Sequence, residues 1–351
     1  MNDSLDDGLG AIGFNPAVAR ALLQANAAGA LRRVLEVHRE TVEVHDGTSA
    51  ASVRPLPWMQ RALSSEDALC TGDWVITTTD DHGAPWISER LPPINRIVRR
   101  SSTGARQPIV ANVDTALLVM GLDADFNLRR VERYVAMVRS AGVWPVIVLT
   151  KLDLCTDTEV RFDELRERLP SDLPFHALDG RSPDGARALA PYLGRGQTLV
   201  VLGSSGAGKS TLTNTLAGSP VQAIGEVRAD DSRGRHTTRS RSLHCLPGGA
   251  CLIDTPGLRG LRPDTDEHGL DASFGDIAGL AMQCRFRDCQ HVDEPGCAVR
   301  AGIDADRLLN YQKMLRDVRR DQLTPLERRQ RLAQWKAIHR GAAERMKMKR
   351  G

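Results

Sequence analysis

Long apolar runs are missing from this sequence. No uncharged stretch approaches the roughly 18 residues that a membrane-spanning helix needs. The N-terminus, acidic at Asp3, Asp6 and Asp7, lacks the basic-then-apolar order of a secretory leader. A cytoplasmic protein with no membrane partner is therefore expected. An even set of cysteines is missing too: there are seven, which argues against a secreted disulfide framework. Cys70, Cys155, Cys245 and Cys251 stand singly in apolar or strand-like text and read as small buried side chains. Cys284, Cys289 and Cys297 cluster and need another explanation. Aromatic residues make up only 4% of the chain. In the strand-rich segment from Leu31 to about Arg100, Trp58, Trp74 and Trp86 are too few to mark a platform for stacking bases.

At 351 residues, 41% hydrophobic and 26% charged, the chain reads as two or three soluble globular domains. The net charge of +3 is unevenly placed. Residues 313–351 hold 13 Lys/Arg against 4 Asp/Glu, a local +9, which leaves −6 on the rest. Such a tail suits a polyanionic partner bound in a salt-sensitive way. On charge alone it suits a solvated helical face equally well.

Residues 1–30 read as an N-terminal extension with a short helix opened by Asn15-Pro16. From residue 31 to 106 short alternating strands and turns, such as Val42-Glu43-Val44 before Asp46-Gly47, suggest a small barrel such as an OB-fold. From 107 to 265 apolar strands alternate with helical spacing. Thr115–Met120 and Trp144–Leu149 are continuous apolar runs, and Leu128, Val131, Tyr134, Val135 and Val138 recur between them. That is the text of a parallel α/β sheet. From 266 to 351 the chain turns cysteine-bearing, then helical and basic.

Gly203-Ser204-Ser205-Gly206-Ala207-Gly208-Lys209-Ser210 matches G-x-x-x-x-G-K-[ST] in full, between an apolar strand and the helix-compatible run opened by Thr211. Glycines let backbone N–H groups wrap a phosphate, and a helix N-terminus adds partial positive charge. Lys209 would bridge the β- and γ-phosphates, and Ser210 would ligate Mg²⁺.

A phosphate loop alone does not choose a base. Thr150-Lys151-Leu152-Asp153 follows the second apolar strand. A carboxylate there accepts from both N1–H and N2–H₂ of guanine, a donor pair adenine lacks, and the Lys151 stem can lie over the purine. The run resembles the N-K-x-D element of GTPases with Thr150 in place of Asn. His176-Ala177-Leu178-Asp179 stands where a base-supporting turn is expected, giving Ala177 and Leu178 as nucleotide contacts. Asp254-Thr255-Pro256-Gly257 resembles the D-x-x-G element, with Asp254 holding Mg²⁺ through water and the Gly257 N–H sensing the γ-phosphate. Thr237 and Thr238 lie in a basic segment before it, where a switch loop supplies a Thr to the metal.

The order of these elements is inverted. GTPases ordinarily run phosphate loop, switch, D-x-x-G, then the guanine elements; here the last two come first. Permutation of this kind is tolerated where chain ends lie close. Leu258 occupies the position after Gly257 where many GTPases carry a water-orienting Gln, and leucine cannot orient water. His236 is the candidate for that work, against the plainer reading of an exposed histidine.

Cys284-x₄-Cys289-x-His291-x₅-Cys297 offers three thiolates and an imidazole, a closed tetrahedral set for one structural zinc. The alternative is a group of free thiols.

Barrel text, permuted GTPase elements, the Cys₃His cluster and a basic tail occur in one order. With Gly72-Asp73-Trp74-Val75, Glu132-Arg133-Tyr134, Gly234–Thr238 and Glu294-Pro295-Gly296-Cys297, this assembly resembles the RsgA family of circularly permuted GTPases, from about Gly29 to about Asn310. The resemblance implies an N-terminal OB-fold, a central permuted P-loop GTPase domain and a C-terminal zinc-binding, helix-rich domain. It also implies RNA contacts by both flanking domains, GTP and GDP as ligands, and His236 as the residue acting on water. Family members bind the small (30S) ribosomal subunit late in its maturation, hydrolyse GTP faster there and help release assembly factors; a monomer is expected. Three rivals stay open: a permuted GTPase of large-subunit assembly, an RNA-binding assembly module with nucleotide as a structural ligand only, and a P-loop ATPase or kinase.

Overall fold

A computed structural model describes residues 8–63, 66–101, 105–220, 241–257, 264–322 and 327. Contacts divide the chain into two compact units, one within residues 1–264 with 272–275, the other from 265–271 and 276 onward.

The first unit opens with the helix Pro16–Ala25. Asn15 caps it, its side-chain oxygen accepting from the backbone N–H of Ala17 and Val18 at 3.1 Å, and Pro16 fills the first turn, where no N–H is needed. Five strands follow: β1 (Ala30–Val37), β2 (Val42–His45), β3 (Ala50–Pro55), β4 (Trp74–Thr79) and β5 (Pro85–Arg90). They close into a barrel of order β1-β2-β3-β5-β4, with β3 and β5 parallel and the other pairs antiparallel. That is the OB-type arrangement the sequence suggested. Alternate inward residues Val34, Val42, Val44, Val53, Val75 and Ile87 fill it.

A two-stranded ribbon, β6 (Arg96–Arg100) and β7 (Arg106–Ala111), leads into the main sheet. Its six strands are β8 (Thr115–Gly121), β9 (Trp144–Thr150), β10 (Phe175–Ala177), β11 (Thr198–Gly203), β12 (Ser242–Cys245) and β13 (Cys251–Asp254). They lie in the order β10-β9-β8-β11-β13-β12, all parallel except β12. β8 and β11 are buried along their whole length because both faces are covered. Leu118 and Met120 pack on one side with Val131, Tyr134, Val135 and Val138 of the helix Leu128–Ser140. Leu117 and Val119 pack on the other with Leu212 and Leu216 of the helix Lys209–Ala217. Each such burial stabilises the fold by about 1.5–3 kcal/mol.

From β8 the chain adds β9 and β10 to one side, then returns to add β11 on the other. The carboxyl ends of β8 and β11 therefore flank the crevice where open α/β sheets bind ligands.

Arg33 joins the barrel to what surrounds it. Completely buried, it lies 5.2 Å over the Trp74 ring and donates to the backbone oxygens of Ile12 and, at 3.1 Å, Asn112. One guanidinium thereby ties the N-terminal lead-in, the barrel and the entry to the main sheet.

The second unit holds the cysteine cluster and the helix Ala305–Gln322, which buries Leu308, Tyr311, Met314 and Val318. Arg307 pairs there with Asp276 at 2.8 Å.

Candidate functional site

The carboxyl edge of the main sheet collects most of the residues singled out from sequence. β11 ends in the Gly203–Ser210 loop, β9 ends at Thr150, β10 at Ala177 and β13 at Asp254. Parallel pairing puts these ends in register: Val201 stands opposite Asp254, Leu149 opposite Ala177 and Gly203 opposite Val119.

In the phosphate loop Gly206 and Gly208 both have positive φ, +81° and +90°. A side chain at Gly208 would also meet the Thr150 hydroxyl at 3.1 Å, so the position needs glycine twice over. Lys209 is buried at the first turn of its helix and donates to the Ser204 carbonyl at 2.5 Å. Burial lowers its pKa, opposed by the charges of Asp254 and Asp125. Ser205 and Ala207 complete the loop, while Ser210 and Thr211 are half-buried in the same helical turn.

Asp254 is buried, its Oδ1 without a hydrogen-bond partner among the described residues. Desolvation raises its pKa to about 6, held back by Lys209 and by the Thr255 N–H. A buried, unpartnered carboxylate oxygen beside the loop that carries Ser210 suits a divalent cation with its water. Gly257 packs so closely that a Cβ would meet the Ser205 nitrogen at 2.8 Å, which brings the backbone after Asp254 against the phosphate loop. His236, Thr237, Thr238 and Leu258 lie outside the described residues.

The segments expected from sequence to read guanine adjoin this edge. Thr150, buried, donates its hydroxyl to the Ala207 carbonyl at 2.6 Å, so the residue standing for Asn ties one loop to the other. Lys151 takes a left-handed conformation, φ +61°, and its ammonium meets Asp123 at 2.6 Å. Asp153 sits at the rim, 3.2 Å from Arg181. Ala177 and the buried Leu178 lie beside β9, with the Leu178 N–H donating to the Leu149 carbonyl. The His176 ring is 3.1 Å from the Tyr192 hydroxyl.

Sequence reasoning missed two neighbours in the crevice. Asp125, after β8, accepts from the Ser204 hydroxyl at 2.6 Å and pairs with Arg130, which also donates to Ser204 at 2.7 Å. The signal was available: Asp123-Ala124-Asp125 directly follows an apolar strand at the same sheet edge.

In the second unit, ligand atoms of Cys284, Cys289, His291 and Cys297 all lie within 4.8 Å of one another. Cys284 and Cys297 sulfurs are 3.9 Å apart, and His291 Nδ1 lies 3.7 and 3.4 Å from them. A tetrahedron with Zn–S near 2.3 Å and Zn–N near 2.05 Å has S···S and S···N edges of about 3.8 and about 3.6 Å. The four groups therefore fit one tetrahedral ion. The loop is pre-shaped: Glu294 accepts from the backbone N–H groups of Gln290, Val292 and Asp293, and Gln312 donates to the His291 carbonyl at 2.7 Å.

Residues 91–263 match the model of the RsgA GTPase family. The small ribosomal subunit biogenesis GTPase RsgA of Xanthomonas axonopodis pv. citri (strain 306) is 44% identical over 310 residues, 85% of this chain and 84% of that protein. Its counterpart in Xanthomonas euvesicatoria pv. vesicatoria (strain 85-10) is 45% identical over 306 residues, 84% of this chain and 82% of that one. YjeQ from Thermotoga maritima matches with TM-score 0.60 and 25% identity over 82% of this chain and 98% of its own. YloQ, a circularly permuted GTPase, shares the fold with TM-score 0.58 and 21% identity over 85% of this chain and 97% of its own.

Proposed function

The chain belongs to the RsgA family of small ribosomal subunit biogenesis GTPases, and from that premise we propose that it binds the small subunit late in assembly, hydrolyses GTP faster when bound there, and helps release assembly factors. It is a GTP hydrolase. The observation that carries the reading is the convergence of the phosphate loop, Thr150–Asp153 and Asp254 on one sheet edge, with each strand in register.

The residue roles in this reading follow from the chemistry of each group. The backbone of Gly203–Gly208 cradles the phosphates, and Lys209 spreads its charge over the β- and γ-oxygens. Ser210 and Asp254, joined by Thr237 or Thr238, would hold Mg²⁺, which neutralises charge developing on the phosphates. Asp153 reads guanine, Lys151 covers the purine, and Ala177 and Leu178 back it. Thr150 acts indirectly, keeping the base loop fixed to the phosphate loop. His236 orients the attacking water in place of the missing Gln. In this scheme the barrel covers 31–106, the GTPase domain 107–265 and the zinc domain 266–351, with RNA contacts from both flanks and a monomer working in the cytoplasm. Among the described residues no helix is long and apolar enough to cross a membrane.

The deciding measurement is turnover with and without purified small subunits. GTP hydrolysis should rise on their addition, while large subunits leave it unchanged. Binding without turnover would instead favour the assembly module. His236→Ala should bind GTP normally and lose about 10²–10⁴ of the stimulated rate; unchanged stimulated turnover removes His236 from the mechanism.

The Cys₃His group is proposed to hold one structural zinc. Elemental analysis should give one zinc per chain, lost in Cys297→Ser with melting of the second unit, since structural zinc supplies folding free energy. Metal-free, fully folded wild-type protein would refute the site.

A further inference from the structure

Two cysteines that the nucleotide and zinc sites leave unused face each other across a hairpin. Cys245, the last residue of β12, pairs in register with Cys251, the first of β13. The Leu246 N–H donates to the Ala250 carbonyl just beyond them, and the Cys251 N–H turns away to the carbonyl of Gln197, the residue before β11. Cys245 and Cys251 therefore form a non-hydrogen-bonded pair, the kind whose α-carbons stand about 4.5 Å apart with side chains closest. A disulfide spans α-carbon separations of about 4.4–6.8 Å. The two thiols also differ in access. Cys245 is exposed, contrary to the buried side chain its strand-like context suggested. Cys251 is buried and donates to the Ala11 carbonyl at 3.5 Å.

We propose that Cys245 and Cys251 are a dithiol oxidation site, in which a hydroperoxide oxidises Cys245 and Cys251 resolves it to a cross-strand disulfide. In the first step the Cys245 thiolate attacks the peroxide; an S–O bond forms, the O–O bond breaks and water or an alcohol leaves. In the second the Cys251 sulfur attacks Cys245; an S–S bond forms, the S–O bond breaks, and hydroxide leaves as water with the Cys251 proton. The two sulfurs lose two electrons in all and the peroxide gains them. A small dithiol reverses the reaction.

The surroundings suit this division of labour. The adjacent Cys251 side chain, with the Arg33 guanidinium nearby, brings the Cys245 thiol down to about 7 against the desolvation that raises it. The same contact and burial hold Cys251 well above the ordinary thiol value. An accessible thiolate beside a resolving thiol is the arrangement of peroxide-sensing cysteines, and disulfides in reducing compartments are characteristically transient. The bond would staple the hairpin that connects the segment before β12 to Asp254.

Tryptic cleavage leaves both cysteines on one peptide, residues 242–259, separate from those of the zinc cluster. After hydrogen peroxide treatment of the full-length protein, that peptide should lose two hydrogens and resist alkylation until a dithiol is added. Two alkylatable thiols on it after treatment would overturn the proposal. In Cys251→Ser a sulfenic-acid probe should label Cys245, whereas Cys245→Ser should leave Cys251 unlabelled. Before oxidation, limited alkylation at pH 7 should modify the exposed Cys245 ahead of the buried Cys251. Equal rates would also count against it.

Discussion

Lys209→Met should fold normally and hydrolyse GTP about 10³-fold more slowly than wild type. The lysine is the one cation buried under the phosphate loop among the described residues, within reach of Ser204 and the charges of Asp254 and Asp125. In the proposed mechanism its ammonium leaves the Ser204 carbonyl for the phosphate oxygens of bound nucleotide, where charge grows in the transition state. Loss of one preorganised donor at such a place costs about 10²–10³ in rate. A second effect adds to it. Asp254 already has its pKa lifted to about 6 by burial and restrained by Lys209. Without the lysine the carboxyl holds its proton to still higher pH, and a protonated Asp254 is a poor partner for a cation. The fold escapes most of the cost because the orphaned acid neutralises itself rather than remaining a buried lone charge. Single-turnover hydrolysis and thermal unfolding together test this. A rate within tenfold of wild type would remove Lys209 from its assigned role, and an unfolded variant would show that the ion cluster is structural.

Asp153→Asn should exchange one base for another. The carboxylate lies at the rim, paired among the described residues with the exposed Arg181, so removing its charge costs little stability. In the proposed reading its two oxygens accept from two adjacent donors on guanine. Asparagine keeps one acceptor and turns the other into a donor, which faces the guanine amino group donor to donor. Losing a hydrogen bond to a charged group weakens binding by about 1.5–3 kcal/mol, or roughly 10–150-fold. Xanthine carries an oxygen where guanine has the amino group, so the same change should improve xanthine nucleotides. Competition between GDP, xanthosine diphosphate and ADP checks it: GDP affinity unchanged in the variant would show that Asp153 does not read the base.

Much of this site was legible because its parts are local. The phosphate loop is eight consecutive residues whose chemistry fixes their identity, and the Cys₃His cluster spans fourteen, so neither needs the fold to be recognised. What the sequence could not display was pairing over distance. Thr150 read only as a replacement for Asn in the base-reading element; the structure adds that its hydroxyl reaches Ala207, 57 residues away. Asp125 and Ser204 meet across 79 residues because β8 and β11 are neighbours, a fact of sheet order rather than of spacing. Arg33 is a plainer case. Charge in a short alternating strand signals a solvent face, yet this arginine is fully enclosed, since carbonyls from two other segments arrive to receive it. Cys245 failed in the opposite sense: a strand terminus at the outer edge of the sheet left exposed a side chain whose type is usually buried.

The strand order also bears on how the chain folds as it leaves the ribosome. β8 is made first and lies in the interior of the finished sheet; β9 and then β10 extend it on one side as they emerge. β11 next takes the open edge of β8, and the hairpin of β12 and β13 docks last against β11. At no stage must a strand be wedged between two that are already paired. The sheet can therefore grow outward in the order of synthesis, with the half that carries the base loop assembled before the phosphate loop has been translated. That sequence shortens the time any apolar strand waits without a neighbour, the interval in which slow parallel sheets are most open to aggregation.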